Sequence, residues 1–373
     1  MVFDLEPEEI LNNALIEAQK KPTGKNLSKD VSEKLEYICR SPNRAGVRFL
    51  MACLLAKIHR PEVDPRKPYT EIGTKDSFSG RAYDEKYIRH FINRNQLPCN
   101  TTTAFLTPGL RNVNRILTID TEITGRPKEV YKYAIQLLDL VYREKVSTEE
   151  LLVDTIRRLL VIKNEKNQRM KTLIKGLKQG GGLPLSSEAI VTLITQHLAC
   201  KNSSRLPVLI VTAAYTSAKK KLGKMAKPLR SHNSADLQTG AIGDVEICLV
   251  GNNSVVTAYE MKMKRITTDD IDDALQKIAK AKPKIQNYIF ITTELIEPLV
   301  FEYAKRQYTE TGGVEVAILD CIGFMRHFLH LFNELRQDFL NTYQELVLKE
   351  PESAVSQPLK EAFLALRQAA EAE

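Results

Sequence analysis

The chain has 373 residues, 43% hydrophobic and 27% charged, with 54 Lys and Arg against 46 Asp and Glu. That is enough apolar mass for one large domain or two ordinary ones and excludes a disordered chain, while the net charge of +8 suits an anionic partner such as nucleic acid without deciding it. Cys39, Cys53, Cys99, Cys200, Cys248 and Cys321 lie far apart with no CxxC pair, the start MVFDLEPEEI is acidic, and no run of about 18 apolar residues occurs, which argues against a disulfide scaffold, a zinc ribbon, export or a membrane span and for a reducing cytoplasm.

Residues 1–175 read as a mainly helical region. Apolar residues recur at helical spacing in 4–19, 31–40, 45–58, 84–95, 129–143 and 149–163. Ser32 and the pair Ser147-Thr148 stand ahead of glutamates in a capping pattern. Between the third and fourth helices, RPEVDPRKPYTEIGTKDSFSGRAYDE holds Pro61, Pro65, Pro68, Gly73 and Gly80, which forbid a continuous helix. Tyr69, Phe78 and Tyr83 give this stretch apolar mass to bury, so an ordered loop is expected. The run GLKQGGGLP, 176–184, carries three consecutive glycines and marks a domain boundary.

Beyond it, strands alternate with helices. The reading gives a helix at 186–200, a buried strand VLIVTAAY at 208–215, a basic loop, and strands at 245–250 and 255–263 around GNNS. A helix at 268–281, a strand at 287–293, a helix at 295–309, a strand at 314–320 and a long helix at 322–347 follow. Asn252 and Asn253 tolerate the positive φ of a tight hairpin turn. Residues 176–350 thus form an α/β domain with an antiparallel hairpin in a mixed sheet, and 351–373 a linker and a last amphipathic helix.

The hairpin carries the chemistry. A two-residue turn sets Asp244 opposite Met261, and a three-residue turn sets it opposite Glu260; either register gathers an Asp, a Glu and a Lys at the open end. Along the second strand Ala258, Glu260 and Lys262 share one face and Tyr259, Met261 and Met263 the other, so one face is core and the other chemistry or solvent. Two carboxylates on rigid strands suit Mg2+, with the Met261 carbonyl as a further oxygen ligand. The ion would lower the pKa of a bound water and offset charge on a phosphodiester, and Lys262 would orient that water or stabilise the charge. The alternative is a solvated strand face of alternating Glu and Lys. The acid-free loop before it, with Lys219, Lys220, Lys221, Lys224, Lys227 and Arg230, favours a phosphate backbone near a metal.

Asp244, fifteen intervening residues and Glu260-Met261-Lys262, with a helix before and a helix and strand after, resemble the PD-(D/E)XK nuclease core, Gly243 standing where the family name has Pro. That resemblance implies a further metal-binding acid in the preceding helix, for which Glu188 is the candidate; the other reading of Glu188 is a first-turn glutamate favoured by the helix dipole. NRAGVRFLMACLLAKIHRPEVDPRKPYTEIG, TKDSFSGRAYDEKYI, LPLSSEAIVTLITQHL and SADLQTGAIGDVEI resemble the SacI-like type II restriction endonucleases, over most of residues 30–330. The implied fold is a helical N-terminal region followed by a PD-(D/E)XK mixed sheet flanked by helices. The implied activity is magnesium-dependent cleavage of double-stranded DNA at a short palindrome by a homodimer, leaving 5′-phosphate ends, with a partner methyltransferase protecting host DNA in a restriction-modification system.

Base reading needs donors and acceptors aimed at groove edges. Lys75, Asp76, Ser79, Arg81 and Arg89 in the 74–89 segment are candidates, Arg81 and Lys75 first, with Arg111, Asn112 and Asn114 in RNVNR. Lys219, Lys220, Lys221, His232 and Asn233 are further candidates for DNA contact, whereas Asp84 is expected to cap the next helix. Residues 1–175 are thus read as the DNA-recognition region. The eight basic residues from Arg157 to Lys178 read as a phosphate-tracking face or a solvated one. No HExxH, Cys-His metal spacing or phosphate-loop Lys-Ser/Thr occurs. The rival readings are a structure-specific or repair nuclease of the same core, and a DNA-binding protein that does not cleave.

Overall fold

The computed structural model describes residues 5–20, 27–100, 102–178, 184–229, 241–280, 285 and 287–372. The chain divides into two compact units, Met1–Arg169 and Met170–Glu373. The division falls inside a helix and ahead of the glycine run, most of which lies outside the described residues.

The first unit is helical. Its elements are α1 (Pro7–Lys20), α2 (Lys29–Arg40), α3 (Ala45–His59), α4 (Gly80–Tyr83), a π-helical turn Asp84–Ile88 leading into α5 (Arg89–Asn95), α6 (Lys128–Tyr142) and the start of α7 (Thr148–Lys178). Every residue of α3 from Ala45 to Ala56 is buried. A helix apolar around its whole circumference needs partners on all sides, and α1, α2, α4 and α6 supply them. The 60–85 stretch is ordered as expected, with a 3-10 turn at Thr70–Ile72, the short helix α4 and Tyr69, Phe78 and Tyr83 in the core.

Two caps differ from the sequence reading. Ser28, not Ser32, accepts from the Val31 amide to start α2, and Ser32 instead takes a bond from Arg158. Ser79, not Asp84, caps the helix that begins at Gly80. Asp84 is fully buried: it pairs with the equally buried Arg48 and accepts from Thr103 Oγ1 at 2.5 Å and the Ala104 amide at 2.7 Å. Burial pushes its carboxyl up, against the pull of Arg48 and these two donors.

The second unit continues with α8 (Ser187–Leu198), α9 (Leu206–Ser217), α10 (Lys219–Leu222), β1 (Lys224–Ala226), β2 (Val245–Leu249), β3 (Val255–Lys262), α11 (Thr268–Lys280), β4 (Asn287–Thr292), α12 (Pro298–Glu310), β5 (Glu315–Asp320), α13 (Cys321–Leu331), α14 (Arg336–Lys349) and α15 (Gln357–Ala372). The described strands form one five-stranded mixed sheet in the order β1-β2-β3-β4-β5, antiparallel from β1 to β3 and parallel from β3 to β5. Val245, Ile247, Tyr259, Ile289 and Ile291 pack on one side with α8, α9, α13, α14 and α15, and Ala258, Tyr288, Phe290, Val316 and Ile318 on the other with α11 and α12. Both faces of the sheet are therefore core, and the charged residues of β3, Glu260 and Lys262, are confined to its C-terminal end.

VLIVTAAY is helix, not strand. Leu206 to Ala214 are all buried in α9, so the apolar run has no period to read, and Pro207 in the first turn together with the 12-residue length suits a buried helix. Thr212 confirms the conformation locally, its hydroxyl donating to the Val208 carbonyl at 2.7 Å. The basic loop contains α10 and the short strand β1, and the expected helix 322–347 breaks at a 3-10 turn, Asn333–Leu335. Among the described residues no helix is long and apolar enough to cross a membrane, and all six cysteines are free.

Candidate functional site

Strands β2 and β3 meet with Val245 opposite Tyr259, Glu246 opposite Ala258 and Ile247 opposite Thr257; a bulge then brings Cys248 opposite Val255. Extending the ladder one residue sets Asp244 opposite Glu260, the second of the two registers. The positive φ in the connection belongs to Gly251, at +85°, while Asn252 accepts from the Ser254 amide at 2.8 Å. The bulge next to the turn, rather than an Asn-Asn pair, decides which residue faces Asp244.

Asp244 is fixed to the second strand directly, its Oδ2 accepting from the Met261 amide at 2.8 Å. Gly243 permits that approach: a Cβ there would stand 2.6 Å from the Tyr259 carbonyl oxygen, so neither Ala nor Pro fits without a shift. Glu246 secures the segment from the other side. Its nearly buried carboxylate takes the Ile242 amide at 3.1 Å and lies 3.4 Å from Lys227 Nζ.

Glu260 and Lys262 stand two residues apart at the C-terminal end of β3, their carboxylate and ammonium 3.2 Å apart. Tyr288, alternate to Ile289 on the neighbouring parallel strand, donates its hydroxyl to Glu260 Oε2 at 3.2 Å. Helix α11 adds two groups. Asp270 Oδ1 lies 3.4 Å from Lys262 Nζ and 3.3 Å from Lys264 Nζ, and Lys277 Nζ lies 3.8 Å from Glu260 Oε1. Burial alone would lower the Lys262 ammonium's pKa; Glu260 and then Asp270 outweigh it and hold it above its ordinary value. Asp270 is held below the usual carboxylate range, where burial is outweighed by the Thr267 amide and hydroxyl and by the two lysines. Asp270, Lys277, Tyr288 and Glu246 escaped the sequence reading. The Thr267-to-Asp270 capping spacing and the seven-residue interval between Asp270 and Lys277, two turns on one helix face, were the available signals.

The other expected residues fall in three groups. Glu188 sits in the first turn of α8, exposed, with His330 at 2.8 Å and Arg326 at 3.1 Å, and hydrogen bonds to these two side chains hold its carboxyl low. Lys219 and Lys220 are exposed on α10, Lys221 pairs with Glu334, and His232 and Asn233 lie outside the described residues. Among the described residues no three His, Cys, Asp or Glu side chains converge as a metal cluster.

In the first unit, Ser79, Arg81, Arg111, Asn112 and Asn114 line one hollow with Thr70 and Glu71. Asn112 and Asn114 have φ of +59° and +45°, left-handed conformations uncommon outside glycine. Arg81 pairs with Glu85 at 2.8 Å. Lys75 and Arg89 are exposed, and Asp76 is held by Lys67 at 2.7 Å, which lowers its carboxyl's pKa. Of the basic run after Arg157, Arg157 and Arg158 pair with Asp154, and Lys163 donates to the Asn95 carbonyl.

Residues 167–293 match the family model of the SacI restriction endonuclease C-terminal domain. Over that stretch the chain resembles a SacI-like type II restriction endonuclease. The match encloses Glu188, α10, Asp244, Glu260, Met261, Lys262, Asp270 and Tyr288 and stops just past β4, so the hollow of the first unit lies outside it. It supports a restriction endonuclease, with nuclease chemistry on DNA. No curated protein matches the chain.

Proposed function

We propose that the protein is a magnesium-dependent type II restriction endonuclease built on a PD-(D/E)XK core, acting on double-stranded DNA as a homodimer at a short palindrome and paired with a protecting methyltransferase. The observation that carries this is the meeting of Asp244, Glu260 and Lys262 at the ends of adjacent strands inside the SacI-type segment. Ligands to open α/β sheets bind outside the carboxyl ends of parallel strands, where Glu260 and Lys262 lie.

The donor set fits magnesium. Two carboxylates facing each other across a ladder, plus the Met261 carbonyl one residue past Glu260, are hard oxygen donors, and magnesium takes one or two carboxylates and fills the rest with water and phosphate oxygens. Asp244 and Glu260 would hold it. When bound, magnesium lowers the pKa of a water and neutralises charge on the phosphate. Asp244 keeps its aim through the Met261 amide, and Glu260 through Tyr288. Lys262 presents an ammonium to the same end of the sheet, where it stabilises the charge that builds on the phosphate as water adds to phosphorus and the bond to O3′ breaks. The products are a 5′-phosphate and a 3′-hydroxyl.

Base reading is assigned to the hollow of the first unit. Arg81 and Arg111 suit guanine, Asn112 and Asn114 suit adenine, and Glu71 is an acceptor for cytosine. Two left-handed asparagines in one short segment are the kind of local strain that accompanies a binding loop. Digestion of unmethylated phage DNA with magnesium and with EDTA, followed by sequencing of the fragment ends, tests the reading. Discrete magnesium-dependent fragments sharing one palindrome are expected; cleavage only at junctions or lesions, or no cleavage, would overturn it.

A further inference from the structure

The helix that follows β3 has a polar face matched charge for charge to the end of the strand. Asp270 meets Lys262, and Lys277, two turns further on, meets Glu260. The two oxygens of Asp270 have separate partners. Oδ2 closes a reciprocal cap on the start of α11, accepting from the Thr267 amide and hydroxyl at 3.0 Å each, while the Asp270 amide donates back to Thr267 Oγ1 at 3.3 Å. Oδ1 faces the two lysines. The carboxylate is nearly buried, and a capped oxygen leaves the side chain little rotational freedom, so Oδ1 is a fixed point.

We propose that Asp270 is a positioning residue for Lys262, an inference that rests on the assignment of Lys262 to phosphodiester cleavage. A lysine carries a flexible four-carbon stem whose rotamer freedom must be lost to fix its ammonium. Held by Glu260 alone, the ammonium could still pivot about that one carboxylate. A second anion on a different element confines it to the gap between strand end and helix start. The acid that caps the helix therefore also aims the lysine, and the five residues between strand end and helix start, 263–267, set the spacing.

The cap and the aiming function separate by substitution in the full-length protein. Asp270→Asn keeps an oxygen able to accept from the Thr267 amide and removes the anion facing Lys262. Thr267→Ala removes the hydroxyl from the cap and leaves the anion. Cleavage of phage DNA would be followed as kcat and KM, with DNA affinity measured without magnesium and thermal unfolding alongside. Asp270→Asn is expected to lower kcat about 10- to 100-fold with KM, affinity and Tm near wild type, the scale of a misplaced group; Asp270→Glu should recover part of the loss. Thr267→Ala should lower Tm and leave kcat within about twofold of wild type. In the Lys262→Ala background, Asp270→Asn should add no further loss. If Lys262→Ala is inactive while Asp270→Asn cleaves at the wild-type rate, the positioning role fails alone. If Lys262→Ala itself cleaves at the wild-type rate, the assignment of Lys262 fails and the inference with it.

Discussion

Asp244 Oδ2 and the Met261 amide, 2.8 Å apart, join the residue just ahead of one strand to the backbone of the next, one position past Glu260. The bond spends a backbone donor on aiming a side chain, and it requires the chain before Asp244 to run against the Tyr259 carbonyl. Only Gly243 allows this, since any Cβ there would meet that oxygen at 2.6 Å.

Gly243→Ala should therefore act on the site through the backbone. The methyl group would push the segment off β3, weaken the Asp244–Met261 bond and cost about 1–3 kcal/mol of stability as an overpacked contact. Cleavage of phage DNA under single-turnover conditions should slow by about 10- to 100-fold. A wild-type rate would show that the close approach of Gly243 to Tyr259 has no bearing on activity.

Asp244→Asn tests the carboxylate itself. The amide oxygen still accepts from Met261, so the local fold should persist, while the charge needed to hold a divalent cation is lost. Cleavage should fall by about 100- to 1000-fold, the scale of one preorganised electrostatic contact. DNA affinity without magnesium should stay equal or rise, because an anion facing the phosphates has been removed. Calorimetric titration with magnesium should show weaker binding than wild type; unchanged binding and cleavage would remove Asp244 from the site.

The legible part of this site was the part governed by short-range rules. Period-two alternation and a tight connection left two registers for Asp244, and both gathered it with Glu260 and Lys262. The choice between them lay in the bulge at Ile247 and Cys248, which no residue type announces. VLIVTAAY was illegible for the opposite reason: a run buried on every side has no polar face to reveal its period. Asp84 was read as a cap from its position beside a helix, but its partner is Arg48, 36 residues earlier, and a long-range ion pair leaves no local pattern. Asp270 could be read as a cap; its second oxygen found Lys262 only through the packing of α11 on the sheet.

Stability should carry the signature of His197. It is fully buried in α8, its Nδ1 3.0 Å from Tyr343 Oη and its Nε2 3.0 Å from the Leu359 carbonyl, tying α8 to α14 and α15. Burial lowers its pKa to about 4, the Leu359 carbonyl only partly opposing the shift. The unfolded chain takes up a proton near pH 6.5 that the folded chain refuses, so this contribution is full above about pH 7 and is lost as pH falls toward 4. The loss is of the order of 3 kcal/mol over that window. Urea unfolding of the wild type and His197→Gln from pH 7.5 to 4.5 should show the variant less stable at neutral pH and less dependent on pH. Parallel curves would mean that His197 is not the titrating group.

Arg81 offers the most direct test of where sequence is read. Its guanidinium is exposed beside the hollow and bonded to Glu85 at 2.8 Å, and a surface pair of this kind is worth about 0–1 kcal/mol, so releasing it toward a base costs little. A bidentate guanine contact contributes about 1–3 kcal/mol of discrimination, so Arg81→Ala should weaken binding to the cognate site by roughly 10- to 100-fold. Binding to unrelated duplex should barely change, because one phosphate-independent contact does not alter the salt-dependent term. Asn112→Gly is the companion variant, since glycine keeps the φ of +59° while deleting the side chain, whereas alanine would strain the backbone. Competition binding with cognate and singly altered duplexes measures both. Relaxed preference at one base pair per half-site for each variant would place the readout in the hollow; unchanged preference in both would move it elsewhere in the chain.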